Sequence, residues 1–239
     1  MDETENKEAI HAACREGRLA AVESLLSANP KLAHRRDSDD RLPIHWACSY
    51  NHLPIVQVLT QVKDFDIDAV DASGWSCLMI ACSVKDGDDL VEYLLKRGAD
   101  AGLKNNNGQT PLHFCASKTR LSTAHLLLSP PYKASPRIPD THSQLPLHRA
   151  AAVGSLPMVK LLLDHNSPLN SSDRSGFTAL HHAIAEGHGD VAIELLRRGA
   201  DSSRRDSDGT LAIALAPDRK VRTWILAEAE KEGVEVVTA

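Results

Sequence analysis

Apolar residues recur along the chain in short blocks. "LAAVESLL", "LPIVQVLT", "LVEYLL", "TAHLLL", "LPMVKLLL" and "DVAIELL" carry apolar positions at helical spacing. In "LPMVKLLL", Leu156, Val159, Leu162 and Leu163 fall at i, i+3, i+6 and i+7, which predicts one buried stripe. "KRGAD" and "RRGAD" end two blocks with basic residues and then Gly98 or Gly199, a stop that uses a left-handed glycine just past the last turn. Ahead of most blocks stands a shorter apolar piece built around a histidine, as in "DDRLPIHWACSYNH", "NNGQTPLHFCASK", "THSQLPLHRAAAVGS" and "RSGFTALHHAIAEGH". The pattern predicts turn, short helix, turn, second helix, repeated.

With each histidine or its substitute as a marker, the positions are His11, His45, Met79, His113, His148, His181 and Ala214, with steps of 34, 34, 34, 35, 33 and 33. This period and the word "TPLHxA" resemble the ankyrin repeat. Thr110 is expected to cap the short helix through its hydroxyl, and Pro111 lacks the N–H that would be orphaned in the first turn. Gly74, Gly108, Gly176 and Gly209, each five residues before a marker, suit a turn with positive φ. The expected fold is all-α, an ankyrin-repeat solenoid of about seven repeats with β-turn hairpin tips and degenerate terminal caps. One domain, 1–239, is expected, with repeats near 6–36, 37–70, 71–104, 105–139, 140–172, 173–205 and 206–239. Pro130, Pro131, Pro136 and Pro139 make 129–139 a modified loop without a domain boundary.

Composition narrows the function. Hydrophobic content of 42% suffices for a core, and aromatic content of 4% suits packed small helices. The opening "MDETENKEAI" lacks the basic start and apolar run of a secretory leader, and no apolar run is long enough to span a membrane. Cys14, Cys48, Cys77, Cys82 and Cys115 are expected as reduced core thiols. A net charge of -5 gives no general attraction to nucleic acid or anionic membranes. The five marker histidines share one phase, so they read as scaffold and no catalytic base is expected. Neither Cys77 and Cys82, five apart, nor His181, His182 and His188 form a zinc pattern. No enzyme site, metal or cofactor is expected.

What remains is the surface that packing does not use, at the turn tips and four or five residues after each marker. It carries Arg15, Glu16, Arg36, Asp39, Arg41, Lys104, Lys118, Arg174 and Glu186, six basic and three acidic residues. Tyr50, Trp75, Asn106, His142, Gln144 and Phe177 join them, and Trp46 and Arg149, beside their markers, are expected between core and surface. Arginine and aromatic anchors are the composition of a protein-binding face, and aromatics at turn tips gain little in a monomer.

The words "RLPIHWACS", "SGWSCLMIACS", "TPLHFCASK", "LPLHRAAAVGSL" and "LHHAIAEGHGD" resemble the gankyrin family over nearly the whole chain. That family consists of chaperones for assembly of the proteasome's regulatory particle. The resemblance implies a concave face that grips the C-terminal domain of one proteasomal ATPase subunit and blocks premature docking on the core particle. It places Asp39, Arg41, Trp75, Lys118 and Arg149 at family positions, beside Arg15, Trp46, Tyr50, Arg174 and Phe177 from the phase argument. Ala72 and Ala21 stand where the family has acidic residues, so the acidic half of the contact is expected to weaken or to move to Asp40 or Asp37. The pocket-protein motif of the mammalian form falls on "HAIAE", His182 to Glu186, and is not kept. A free monomer in cytoplasm and nucleus is expected, with no nucleic-acid or membrane partner. The alternative is a general ankyrin adaptor or kinase-inhibitor-like module with another partner.

Overall fold

Helices come in pairs at the predicted phase in the computed structural model, which describes residues 3–238, with side chains from Glu8 onward. Residues 1, 2 and 239 of the expected range lie outside the described residues. One compact unit, up to Asn106, holds α1 (Glu3–Arg15), α2 (Leu19–Ala28), a 3-10 turn Pro30–His34, α3 (Pro43–Ser49), α4 (Leu53–Leu59), α5 (Cys77–Ser83) and α6 (Asp88–Lys96). A second, from Asn107, holds α7 (Pro111–Ser117), α8 (Leu121–Leu128), α9 (Pro146–Ala152), α10 (Leu156–Asp164), α11 (Ala179–Ala185), α12 (Gly189–Arg197), a 3-10 turn Ala212–Leu215 and α13 (Arg219–Lys231). Extended pairing among the described residues is limited to the isolated bridges Val70–Ser76 and Arg205–Leu211 at turn tips. No helix among the described residues is long and apolar enough to cross a membrane.

The short helices stack in series within each unit, α1 on α3 on α5, and α7 on α9 on α11. The residue before each marker, Ile44, Leu78, Leu112, Leu147 or Leu180, is buried. The second residue after it is small, Ala13, Ala47, Ala81, Cys115, Ala150 or Ala183, which lets neighbouring short helices approach closely. The longer helices bury a stripe against them. In α10 that stripe is Met158, Val159 and Leu162, while Leu156 and Leu163 are half-buried, so the predicted face is rotated toward Met158.

The marker histidines bind at both ring nitrogens. Nδ1 accepts the N–H of the residue capping its own helix, from Leu42 to His45 at 2.9 Å, Thr110 to His113 at 3.0 Å, Leu145 to His148 at 2.9 Å and Thr178 to His181 at 3.3 Å. A backbone N–H can only donate, so Nδ1 carries no proton and Nε2 does. Nε2 then donates to a carbonyl further along the chain, from His11 to Arg41 at 3.1 Å, His45 to Ala69 at 3.0 Å, His113 to Gln144 at 3.1 Å and His148 to Ser171 at 2.9 Å. At His181 this rung weakens. Its Nε2 is buried without a bond of full geometry, and the backbone of Thr210 is the group that raises its affinity for a proton.

The expected hydroxyl cap at Thr110 is corrected by this arrangement: the Thr110 hydroxyl lies 3.0 Å from His113 Nδ1, and the imidazole satisfies the cap residue's own N–H. Leucine can therefore stand at Leu42 and Leu145, where it has no acceptor to offer. Where Met79 replaces histidine, Ser76 supplies a conventional cap, accepting the Met79 N–H at 3.3 Å.

Five turn tips are built on an aspartate, and Asn105 stands at the same place before α7. Asp37 Oδ1 accepts the N–H groups of Asp39 and Arg41, and Asp71, Asp140, Asp173 and Asp206 do the same two and four residues on. Gly74, Gly108, Gly176 and Gly209 take positive φ as expected, and Asp40 and Ser143 hold that conformation where glycine is absent. Consecutive tips are joined by one bond each: Ala72 N–H to the Asp39 carbonyl, Asn106 to Ser73, Thr141 to Asn107, Arg174 to His142 and Ser207 to Ser175. The proline-rich loop is pinned where Ala134 N–H donates to the Leu127 carbonyl and Arg137 to the Asn166 carbonyl.

The five cysteines are free thiols and all are buried. Burial pushes Cys14 up to about 12 and raises Cys48 as well, with Cys77 adjoining it. In the last repeat the short helix shrinks to the 3-10 turn, and α13 starts at Asp218, whose Oδ1 accepts the Val221 N–H at 2.8 Å.

Burial lowers the proton affinity of His45, His148 and His181. The unfolded chain therefore takes up protons first as pH falls through about 6.5, and stability present above that value is lost below it. The midpoint of urea unfolding is expected to be lower at about pH 5.5 than at about pH 7.5; an equal or higher midpoint would refute neutral, structural imidazoles. His148→Ala should cost about 2–6 kcal/mol in the same measurement at about pH 7.5, twice the loss of one orphaned buried group, because the Leu145 N–H and Ser171 carbonyl lose their partner together.

Candidate partner-binding surface

In the first unit, Trp46 is the centre of a cluster. Its indole N–H donates to Asp37 Oδ2 at 2.7 Å. The guanidinium carbons of Arg15, at the end of α1, and Arg41, at the start of α3, lie 4.6 Å and 5.0 Å from its ring centroid. Such stacking is worth roughly 0.5–1 kcal/mol at an exposed site. Arg41 is also fixed by a 3.1 Å bond from Nε to Asp71 Oδ2, whose side chain is 4% exposed. Burial pushes the Asp37 carboxyl up, but Trp46 and the Arg41 and Asp39 N–H groups outweigh it and hold the group below the ordinary carboxylate range.

The second unit repeats the scheme with other side chains. Arg149 donates to Asp140 Oδ2 at 2.7 Å, and His182 and Gln144 both reach Asp173 Oδ2, at 3.0 and 3.1 Å. Burial raises the Asp140 and Asp173 carboxyls. Arg149 with backbone N–H groups in the first case, and Gln144 with His182 in the second, turn the net effect downward. The same carboxylate thus shapes its turn with one oxygen and fixes a side chain of the inner face with the other. Those aspartates escaped the sequence reading. Asp37, Asp71, Asp140, Asp173 and Asp206 keep the marker's period, eight residues before each marker, and that spacing was the available signal.

The predicted surface residues divide accordingly. Arg41, Trp46 and Arg149 are half-buried and engaged inside the chain, as the intermediate position of Trp46 and Arg149 suggested. Arg36 is tied to Asp40 and the Val70 carbonyl, and Glu16 to Arg18. The two carboxylates expected to take over the acidic contact, Asp37 and Asp40, are therefore already engaged within their own turn. Phe177 is half-buried, with its ring 5.5 Å from His181 and 5.4 Å from His182, and Trp75 is half-buried too. Tyr50 is 52% exposed, with one face stacked on His52. Asp39, Lys104, Lys118, Arg174 and Glu186 project outward, and none makes an ion pair among the described residues.

The buried imidazoles are committed at their capping nitrogen, and no group of three or more potential metal ligands occurs among the described residues. The first unit presents the fixed planar groups Trp46 and Arg41, and the second Arg149 and Phe177, each with exposed charged residues near by in sequence, groups of the kind that bind a protein surface.

Comparison with known proteins agrees with this geometry. A family model described as ankyrin repeats (3 copies) matches residues 1–71, 61–140 and 132–206. The chain is 36% identical over 223 residues to the probable 26S proteasome regulatory subunit p28 of Saccharomyces cerevisiae, covering 91% of this chain and 96% of that protein. It is 38% identical over 219 residues to an ankyrin repeat-containing protein of Schizosaccharomyces pombe, covering 90% and 92%. Among solved structures, the ankyrin repeat domain of Bcl-3 aligns with a TM-score of 0.74 at 28% identity, covering 92% of this chain and 97% of that one. The human ASB11 ankyrin repeat domain aligns with a TM-score of 0.79 over 96% and 99%, a likeness of fold at 24% identity.

The division between engaged and projecting side chains has a measurable consequence. Arg149→Ala should cost about 1.5–3 kcal/mol in urea unfolding, the range for a bond to a charged group, because Asp140 loses its guanidinium. Arg174→Ala should stay within about 0.5 kcal/mol of the parent, as for an ordinary surface change. Equal effects would contradict the distinction.

Proposed function

The chain belongs to the ankyrin-repeat proteins, in the gankyrin family with the yeast regulatory subunit p28, and from that premise we propose that it is a proteasome-associated binding module without catalytic activity. Its partner in this reading is the C-terminal domain of one ATPase subunit of the regulatory particle. Binding occludes that domain, so the subunit cannot dock on the core particle until a proper neighbour displaces the module. The observation that carries the reading is the pattern of fixed and projecting groups: Trp46 held between Arg15 and Arg41 in the first unit, Arg149 and Phe177 held in the second, and Asp39, Lys118 and Arg174 left for a partner. Relatives covering almost the whole chain, one of them named as a proteasome regulatory subunit, support the choice of partner.

The projecting residues are the cleanest probes, because Arg41 and Arg149 also hold buried aspartates. Asp39→Lys and Lys118→Glu should each weaken binding to the isolated ATPase C-terminal domain by about 2–5 kcal/mol where the contact is desolvated, against under about 1 at a rim. Their urea midpoints should match the parent. Titration calorimetry reads the first quantity. Unchanged affinity in both variants would remove this face from the reading, and tagged protein that recovers no proteasomal ATPase from cells would remove the partner.

A further inference from the structure

The pentapeptide Arg-Arg-Asp-Ser-Asp occurs twice, at 35–39 and at 204–208. Both copies are turn tips with one geometry. Asp37 and Asp206 accept the N–H groups two and four residues on, while Arg36 and Arg205 each donate to the carbonyl four residues on, Asp40 and Gly209. The turn thus uses the second arginine and the first aspartate. Ser38 and Ser207 are left exposed, and neither hydroxyl is hydrogen-bonded among the described residues.

The copies are tethered on different sides, the first to the segment that follows it, through the Ala72 N–H on the Asp39 carbonyl and Arg36 on the Val70 carbonyl, and the second to the tip that precedes it. Ser207 N–H donates to the Ser175 carbonyl of the preceding tip at 3.0 Å. Ser38 N–H occupies the same rung and has no acceptor among the described residues. Ser38 also borders a cavity of about 620 Å³ lined by Glu8, His11, Arg15, Asp37, Asp39 and Trp46. In that cavity Arg15 lies over the Trp46 ring and has no carboxylate partner among the described residues.

We propose that Ser38 is a phosphorylation site, and that phosphate there regulates the partner surface; only the regulatory half rests on the proposed function. Ser38 Oγ attacks the terminal phosphorus of a nucleoside triphosphate held by a protein kinase. The new O–P bond forms as the bond to the departing nucleoside diphosphate breaks, and the hydroxyl proton passes to the kinase's base. Arg35 and Arg36, three and two residues before the serine, are what carboxylates flanking a kinase cleft bind in bidentate fashion. Reading Arg36 requires its release from the Asp40 carbonyl and carboxylate and from the Val70 carbonyl, a local opening of one turn. The product adds about 1.5 to 2 negative charges beside Asp37 and Asp39. Arg15 and the unpaired Ser38 N–H are the donors within its reach, and pairing with Arg15 draws that guanidinium off Trp46 and fills the cavity.

The test uses the folded full chain, ATP and a kinase that reads paired arginines before serine, with phosphate mapped by mass spectrometry. Ser38 should be modified, and Ser38→Ala should abolish that label. The phosphorylated chain should bind the ATPase C-terminal domain about tenfold more weakly than the unmodified chain. No label on the folded chain, when a 32–42 peptide is labelled, would show the turn to be inaccessible, and refusal of the peptide too would show that the arginine pair is not read. Equal binding before and after modification would overturn the regulatory half. Failure of the unmodified chain to bind any ATPase domain would defeat the proposed function and leave the Ser38 result standing by itself.

Discussion

A buried imidazole with one nitrogen turned back on its own helix and the other turned to a later segment is the constraint on which the array depends. The first bond, from the cap residue's N–H to Nδ1, fixes the tautomer. The tautomer then makes Nε2 a donor, and a donor is what the carbonyls of Ala69 and Ser171 require. The first bond is lost if the ring gains a proton, because Nδ1–H would then face another N–H, while Nε2–H would go on donating to its carbonyl. Burial keeps His45 and His148 neutral and protects the first contact. Helices only seven residues long have little stability in water, so joining each to a neighbour at a buried, directional bond is what makes their phase reliable.

The aspartates at the tips apply the same economy to the surface. One carboxylate oxygen closes the turn and the other holds a side chain that would otherwise swing freely. Two long side chains, Arg41 and Arg149, thereby lose conformational freedom during folding, so they surrender less when a partner arrives. In the proposed complex, binding energy then comes from preorganised planar groups, while projecting charges such as Asp39 and Lys118 steer the encounter.

The period, the helix pairs, the glycine turns and the reduced thiols were legible in the sequence because each follows from spacing or from local chemistry. The capping role of His113 was not, because the N-terminal preference of threonine points to the hydroxyl, and only the three-dimensional turn shows the imidazole reaching back first. Burial of Met158 escaped because the stripe was phased on Leu156; phased on Leu162, Met158 and Val159 fall four and three residues before it on the buried face. At the surface, phase located Arg41, Trp46, Arg149 and Phe177, but phase cannot tell a side chain that projects from one held by an aspartate, whether nine residues earlier, as for Trp46 and Arg149, or in the following turn, as for Arg41. Asp140 and Arg149 are nine residues apart, a distance at which no helical or strand rule pairs residues.

The buried thiols have a use beyond packing. With Cys14 pushed up to about 12, almost none of it is thiolate at neutral pH, and a sulfur enclosed by neighbouring helices is out of reach of any reagent. Modification of these sulfurs therefore reports excursions from the native state rather than intrinsic nucleophilicity. Cys14, Cys48, Cys82 and Cys115 stand in four successive repeats, and Cys77 adjoins the second of them. The chain thus carries native stopwatches, and the order in which they react traces how opening spreads from one repeat to the next.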